Sequence, residues 1–286
     1  MPLPINPSLV HTLTLADIRA EIDRLDGAMH ALLMERSQII ETLITVKGTS
    51  ASGSAFRPAR EAEVLRRLVE NHRGLLPLDT VESIWRVIIS TFTYVQAPHS
   101  VHADITGDAA AIRDSARFHF GFTVPFMTHT SASAVIRAVD ASRGDLGIFR
   151  LNLSVEAEPW WHLLEGDKAP KIIARLPFID RPDHPAGLPV YVVSKPLSEA
   201  AVREVIVASI AVERWKADMP VRLAKLGMSV VMTGGTHAAL SLLLAHGEAL
   251  SGGAVMAALQ EMGCAPLRYT EIGGHAAPFS VTGQSR

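Results

Sequence analysis

Two cationic side chains interrupt an apolar helical stripe near the start of the chain. Apolar residues recur in steps of three and four from Leu15 to Leu43, and the same steps also reach Arg36 and Lys47. These two cations are 11 positions apart, so on a helix they point within about 20° of each other and lie about 16 Å apart along its axis. An unpaired charge on a core-facing stripe costs several kcal/mol. The pair therefore predicts a bound anion.

Three further polar residues accompany the predicted helices. Glu61 falls on the inward side of a second helix, and Gln96 ends the apolar stripe of a third. Arg19 lies 17 positions before Arg36, which turns it about 100° away, so it would reach the same kind of ligand from a partner chain. Taken alone, each charge is most simply a solvated group at the edge of an amphipathic helix. Their joint pattern favours a site.

Three helices are expected to position these residues. The first opens with Thr14-x-x-Asp17, the pattern of a capping box, and Asp79 with Glu82 predicts a similar cap for the third. At about 1.5 Å per residue the first helix is a rod of nearly 50 Å, so two short helices and a second copy of the chain should pack on it. A Ser- and Gly-rich loop is predicted over 48–55. The helices are predicted over 15–46, 60–71 and 79–96.

Residues 15–96 resemble the all-helical chorismate mutase family. The resemblance implies a three-helix chain that forms an intertwined homodimer with two active sites. The matching elements are Leu15-Ala-Asp-Ile-Arg19, Ile22-Asp-x-Leu25-Asp26, Leu32-Leu-x-Glu35-Arg36, Lys47, Arg57-Pro-x-Arg60-Glu61, Val64-Leu65 and Ile88-Ile89 leading to Gln96.

The resemblance also implies a role for each candidate site residue. Chorismate is a dicarboxylate that rearranges to prephenate without proton transfer, so binding and electrostatic stabilisation suffice, and no cofactor or metal is expected. The substrate-binding residues would be Arg36, Arg19 of the other subunit and, through positive potential, Arg60; Lys47 and Gln96 would donate to the breaking ether oxygen, and Glu61 would accept from the substrate hydroxyl. Arg57 and Phe92 stand where many members have an acidic residue and some a serine, so they are secondary positions.

The second half of the chain predicts an α/β region. Short apolar runs at 122–126, 146–151, 171–179 and 189–193 surround a helical stretch at 131–140. Residues 103–195 resemble a prephenate dehydratase domain in Asp104-Ile-Thr-Gly107, Ala134-Val-Ile-Arg-Ala-Val139 and Gly144-Asp-Leu-Gly-Ile148. A Pro-Ile-Glu-Asn-Ser type run and a Thr-Arg-Phe element are missing, which predicts a truncated, degenerate region.

The C-terminal part predicts strands and helices in the order βαββαβ, which is that of a ferredoxin-like module. The position and order resemble the regulatory ACT domain of dehydratases, although its phenylalanine-binding elements are not matched. A structural remnant is favoured over a sensor. Gly234-Gly235 and Gly273-Gly274 are expected to form turns, and Trp160-Trp161 is expected to lie in the core.

Composition sets the outer bounds. The 286 residues are 48% hydrophobic and 20% charged with a net charge near −2, so a nucleic-acid partner is not expected. One cysteine and no signal-like start favour a cytoplasmic protein. The longest run without charges, 226–247, is interrupted by glycine, threonine and histidine, so no membrane span is expected.

The sequence therefore predicts a cytoplasmic, homodimeric chorismate mutase acting in aromatic amino-acid biosynthesis. The fold class is multidomain: an all-α three-helix mutase domain over 1–98, a truncated dehydratase-like α/β region over 103–195 and an ACT-like module over 203–280. Three alternatives remain open: an isochorismate pyruvate lyase of the same helical fold, a bifunctional mutase and prephenate dehydratase, and a non-catalytic regulatory protein.

Overall fold

The computed structural model describes residues 14–47, 55–151, 155–156, 159–196, 203–236 and 239–281. The chain divides into two compact units, 1–49 and 50–286. The predicted loop over 48–55 lies outside the described residues except for Ala55.

The first unit contains one long helix, α1 (Leu15–Lys47). The amide of Thr14 donates to the Asp17 carboxylate at 2.8 Å, and the Asp17 amide donates back to the Thr14 hydroxyl at 3.2 Å. This reciprocal pair confirms the predicted capping box, which satisfies amides that the first turn leaves without partners. The 33 residues of α1 also confirm the predicted rod.

The second unit begins with two helices, α2 (Pro58–Asn71) and α3 (Leu78–Gln96). Pro77 occupies the N-cap position of α3, and no side chain caps this helix. The predicted cap by Asp79 and Glu82 is therefore wrong. Asp79 instead pairs with the charged side chain of Arg181, and Glu82 accepts from His184, so both carboxylates are turned towards the α/β region.

The α/β region follows α3 and confirms the predicted β-α-β alternation. Four elements of this region were not predicted from the sequence: β1 (Val101–Asp104), α4 (Ala109–Phe120), β4 (Val155–Glu156) and a 3-10 helix (Trp160–Leu164). The elements are β1 (Val101–Asp104), α4 (Ala109–Phe120), β2 (Phe126–His129), α5 (Ala132–Ala141), β3 (Leu146–Arg150), β4 (Val155–Glu156), a 3-10 helix (Trp160–Leu164), β5 (Lys171–Leu176), β6 (Ile179–Asp180) and β7 (Val190–Ser194).

The strand predicted over 122–126 is wrong, because β2 begins only at its last residue. Gly121, with φ of 70°, ends α4 and reverses the chain. The Arg117 side chain holds this turn: it donates to the Gly121 carbonyl at 3.2 Å and stacks over the Phe122 ring at 4.9 Å. Phe122 is consequently 83% exposed and pairs with no strand.

The C-terminal part shows the predicted order of strands and helices. The antiparallel neighbours are β11-β8-β10-β9, in that order. Within the apolar run over 226–247, residues 228–236 and 239–247 form the antiparallel strands β9 and β10. Within the described residues no helix is both long and apolar enough to cross a membrane. The elements are β8 (Val205–Val212), α6 (Met219–Ala224), β9 (Met228–Thr236), β10 (Ala239–Gly247), α7 (Gly252–Glu261), β11 (Pro266–His275) and β12 (Phe279–Ser280).

One ten-stranded sheet runs through the described part of the second unit, in the order β2-β1-β3-β7-β5-β11-β8-β10-β9-β4. Its two halves meet where Gly273 of β11 pairs with Ile172 of β5. Gly273 has φ of 145°, and a Cβ there would collide with the Ile172 carbonyl oxygen, so glycine is required. The predicted turn at Gly273-Gly274 is therefore wrong, and Gly234-Gly235 likewise lies within β9.

Two hydrophobic cores fill the space on the faces of this sheet near α2 to α5. Phe56 and Leu65, at and after the start of α2, pack in one core with Ile112 and Phe120 of α4. Trp161 is fully buried in the other, which confirms that the predicted Trp160-Trp161 pair lies in the core. The helices α2 and α3 thus fold together with the α/β region.

Candidate functional site

Helix α1 carries three of the predicted site residues. Because α1 is continuous from Leu15 to Lys47, Arg36 and Lys47 keep the 11-residue spacing that places them on one side. Arg19 is exposed, whereas Arg36 is half-buried, and this burial lowers the pKa of its guanidinium from the ordinary value. The side chain of Lys47 lies outside the described residues.

Two arginines at the start of α2 each contact a residue close to them in the chain. Arg57, at the N-cap position, donates to the Phe56 carbonyl at 3.1 Å. Arg60 pairs with Glu63 at 2.8 Å, and both of these side chains are more than half exposed. An exposed pair of this kind contributes roughly 0–1 kcal/mol to stability, so the Arg60–Glu63 contact can open without much loss.

Glu61 has a different environment from its neighbour Arg60, because its side chain is buried. Its Oε2 accepts a hydrogen bond of 2.5 Å from Nη1 of Arg86, a residue of α3 that is fully buried. Burial raises the pKa of the Glu61 carboxyl from its ordinary value, and the charge of Arg86 opposes that rise. A buried carboxylate requires such a partner.

At the C-terminal end of α3, Gln96 and Phe92 lie one turn apart and are both half-buried. The amide nitrogen of Gln96 donates to the Phe92 backbone carbonyl at 3.0 Å. This bond folds the Gln96 side chain back along its own helix, so reaching a ligand requires a change of rotamer.

The predicted site residues are divided between the two compact units of the chain. Arg19, Arg36 and Lys47 belong to the first unit; Arg57, Arg60, Glu61, Phe92 and Gln96 belong to the second. Within the second unit, Gln96 contacts Phe92, and Glu61 contacts a residue that was not predicted.

The residues missed from the sequence form a polar stripe on α3. Asp79, Glu82 and Arg86 recur in steps of three and four, the spacing of one helix face. Asp79 pairs with Arg181, and Glu82 accepts from His184 Nε2 at 3.1 Å. The spacing of these three polar residues is visible in the sequence, but the apolar stripe of α3 is the more regular pattern and was the one used to predict the helix.

The tautomer of His184 follows from its two contacts. The Ala186 amide donates to His184 Nδ1 at 2.9 Å, so the proton sits on Nε2 and points to the Glu82 carboxylate. Both side chains have no exposed surface. Together with Arg86, this pair gives the contact between α3 and the α/β region a buried polar core.

Comparison with known proteins separates the two halves of the chain. Residues 18–97 match the sequence family described as chorismate mutase type II. The N-terminal resemblance is confirmed. This match spans α1, α2 and α3, and it includes every predicted site residue.

A curated relative extends the comparison beyond the helices. The chain is 28% identical over 138 residues to a bifunctional chorismate mutase/prephenate dehydratase of Neisseria gonorrhoeae. The alignment covers 48% of this chain and 37% of that protein, so the chain matches little more than a third of the relative's length.

Two solved structures are also similar. One is titled a quorum-quenching acylase of a novel type, with a TM-score of 0.41, 13% identity and coverage of 62% of this chain and 94% of that one. The other is the prephenate dehydratase of Streptococcus mutans, with a TM-score of 0.39, 12% identity and coverage of 64% and 100%. The multidomain organisation rests on the chain's own features: a helical N-terminal part that matches the mutase family, followed by a large mixed-sheet α/β region.

Proposed function

We propose that this protein is a chorismate mutase, an isomerase that converts chorismate to prephenate in aromatic amino-acid biosynthesis. The observation that carries the proposal is the match of residues 18–97 to chorismate mutase type II. The continuity of α1 supports it, because one unbroken helix keeps Arg36 and Lys47 on a common side.

In the proposed pocket, catalysis depends on the charges that face the substrate and on the shape of the site. Arg36 and Arg19 bind the two carboxylates in two-pronged fashion, which holds the flexible substrate in its reactive conformation. Lys47 and Gln96 donate to the ether oxygen, where negative charge builds as the bond breaks. Glu61 accepts from the substrate hydroxyl, Arg60 adds positive potential, and Arg57 and Phe92 shape the wall.

The proposed active form is a homodimer, in which Arg19 serves the partner's pocket. Its support is the apolar stripe of α1, whose members Leu15, Ile22, Leu25 and Leu32 are between 48% and 64% exposed in the single chain. Exposed apolar surface on this scale marks an interaction site, and a second α1 offers a complementary stripe of the same length.

For the C-terminal part we propose an ACT-like, ferredoxin-like module over 203–280, following the dehydratase-like region over 103–195 and the mutase domain over 1–98. The βαββαβ order and the antiparallel arrangement β11-β8-β10-β9 support it. A cytoplasmic location is proposed from the single cysteine, Cys264, which is free and buried.

A second activity, prephenate dehydration, is favoured by one observation. The alignment with the Neisseria gonorrhoeae relative is longer than the mutase match, so it also includes residues outside 18–97. Against it, the Thr-Arg-Phe element is missing near Tyr191.

The test is incubation of the purified full chain with chorismate, isochorismate or prephenate, with each product identified by chromatography. Prephenate from chorismate is the expected result. Pyruvate from isochorismate, with no prephenate from chorismate, would show that the protein is a lyase and not a mutase. Phenylpyruvate from prephenate without acid treatment would establish the second activity. No product from any of the three would contradict an enzymatic function on these substrates.

A further inference from the structure

Arg86 is a fully buried cation that connects two parts of the second unit. Its Nη1 contacts Oε2 of Glu61 on α2 at 2.5 Å. Its Nε and Nη2 both donate to the backbone carbonyl of His119, at the end of α4, at 3.1 and 2.7 Å. All three guanidinium nitrogens are therefore engaged, and the planar group is fixed in orientation.

The surroundings of Arg86 leave it little freedom. Phe178 lies beneath the guanidinium, with 5.7 Å between Cζ and the ring centroid. One turn earlier on α3, Glu82 is held by His184. Because these contacts come from the α/β region, α3 cannot rotate without breaking several buried polar contacts at once.

This arrangement acts on Glu61 in two ways. First, the contact through Oε2 fixes the plane of the carboxylate and leaves Oε1 for a second donor, such as a ligand hydroxyl. Second, burial raises the pKa of the Glu61 carboxyl, and the charge and hydrogen bond of Arg86 oppose that rise, so Arg86 favours the charged form. Only a charged and correctly turned carboxylate is a strong acceptor.

We propose that Arg86 is a positioning residue for Glu61, and that it links the mutase pocket to the α/β region through the His119 carbonyl. This inference rests on the proposed mutase function, in which Glu61 accepts from the substrate hydroxyl. It assigns a role to a residue outside the predicted site, whose contacts join α2, α3 and α4.

The test is the pH profile of kcat/KM for chorismate in the full chain. In Arg86→Gln the pKa of Glu61 rises, so the acidic arm of the profile moves upward by about 1–3 pH units. Arg86→Lys restores the charge but not the planar fork, so the acidic arm returns towards the wild-type position while the maximal rate stays reduced. In Glu61→Gln the acidic arm of the profile should disappear. Adding Arg86→Gln to this variant should therefore leave the pH profile unchanged.

Other titratable and charged groups around Arg86 and Glu61 must be kept constant in these comparisons. The matched control is Arg181→Gln, which removes another cation of the same contact but does not touch Glu61. It should lower stability without moving the acidic arm. The groups concerned are His119 on α4, Glu82 and Asp79 on α3, and Arg181 and His184 in the α/β region.

The outcomes separate this inference from the proposed function. An unchanged acidic arm in a folded Arg86→Gln variant, or a faster reaction, would overturn the positioning role while leaving the mutase intact. If wild-type protein does not convert chorismate, both proposals fail. Should Arg86→Gln fail to fold, Arg86→Lys carries the test, since an unaltered maximal rate in that variant also contradicts the role of the fork.

Discussion

Three arginines of the described residues, Arg24, Arg86 and Arg36, differ in their environments, which predict different roles. Arg24 is exposed and pairs with Glu21 within one turn of α1. Arg86 is fully buried and engaged with Glu61 and a backbone carbonyl. Arg36 is half-buried, so its guanidinium is already partly withdrawn from water. In such a place a charged hydrogen bond is stronger than at an open surface.

Replacement of Arg36 by alanine should therefore reduce kcat/KM for chorismate by about two to three orders of magnitude, because a charged donor to the reacting substrate is lost. Arg24→Ala is the matched control on the same helix. Its exposed pair is worth roughly 0–1 kcal/mol, and its loss should leave the kinetics unchanged. Steady-state kinetics and circular dichroism of both variants give the answer. A folded Arg36→Ala variant with wild-type kcat/KM would move the pocket elsewhere.

Helix α1 shows how an element can be correctly predicted while its surroundings are not. The period of its apolar residues and its capping box predicted its type and its start, and both are local features.

The partner of Glu61 could not be predicted from such local features. Arg86 lies 25 positions away and His119 another 33 beyond it, so their meeting depends on how α2, α3 and α4 pack. Side-chain spacing carries no such information.

The exposed stripe of α1 predicts that dimer formation depends on its apolar side chains. Leu25→Glu places a charge on the stripe, where burial in a dimer would be costly, so this variant should sediment as a monomer and lose activity. Ala31 lies on the other side of the same helix, and Ala31→Glu should remain a dimer. Analytical ultracentrifugation compares them. A Leu25→Glu variant that stays dimeric would contradict the proposed interface.

A mixing experiment addresses the assignment of Arg19 to the partner's pocket. Arg19→Ala and Arg36→Ala chains should each be inactive alone. After joint unfolding and refolding, a heterodimer contains one pocket with both arginines and one with neither. Activity should recover to about a quarter of the wild-type value per chain, if half the dimers are mixed and each has one good site. No recovery would mean that both arginines serve the same pocket of one chain.

In the whole molecule, buried histidines connect stability to pH. Burial lowers the pKa of His275 to about 4, and burial together with the charge of Arg86 lowers the pKa of His119 well below its ordinary value. In the unfolded chain these groups take up protons near pH 6.5. The native state, which keeps them neutral, is therefore favoured above that pH and loses stability as the pH falls towards 4.

Urea unfolding should accordingly show a falling free energy of unfolding between pH 6.5 and about 4, with roughly 3 kcal/mol of the loss from His275 alone. His275→Gln should flatten this dependence by that amount. A His275→Gln variant with the full wild-type pH dependence would show that this histidine is protonated normally in the folded chain.

The central claim concerns the reaction itself, and it is tested most directly by following chorismate loss and prephenate formation in wild-type protein and in Lys47→Ala. Wild-type protein should convert chorismate to prephenate with one product per substrate, and Lys47→Ala should be slower by about 10²–10³ because the donor to the ether oxygen is gone. Prephenate formation at equal rates in both proteins, or no prephenate from wild-type protein, would contradict the account.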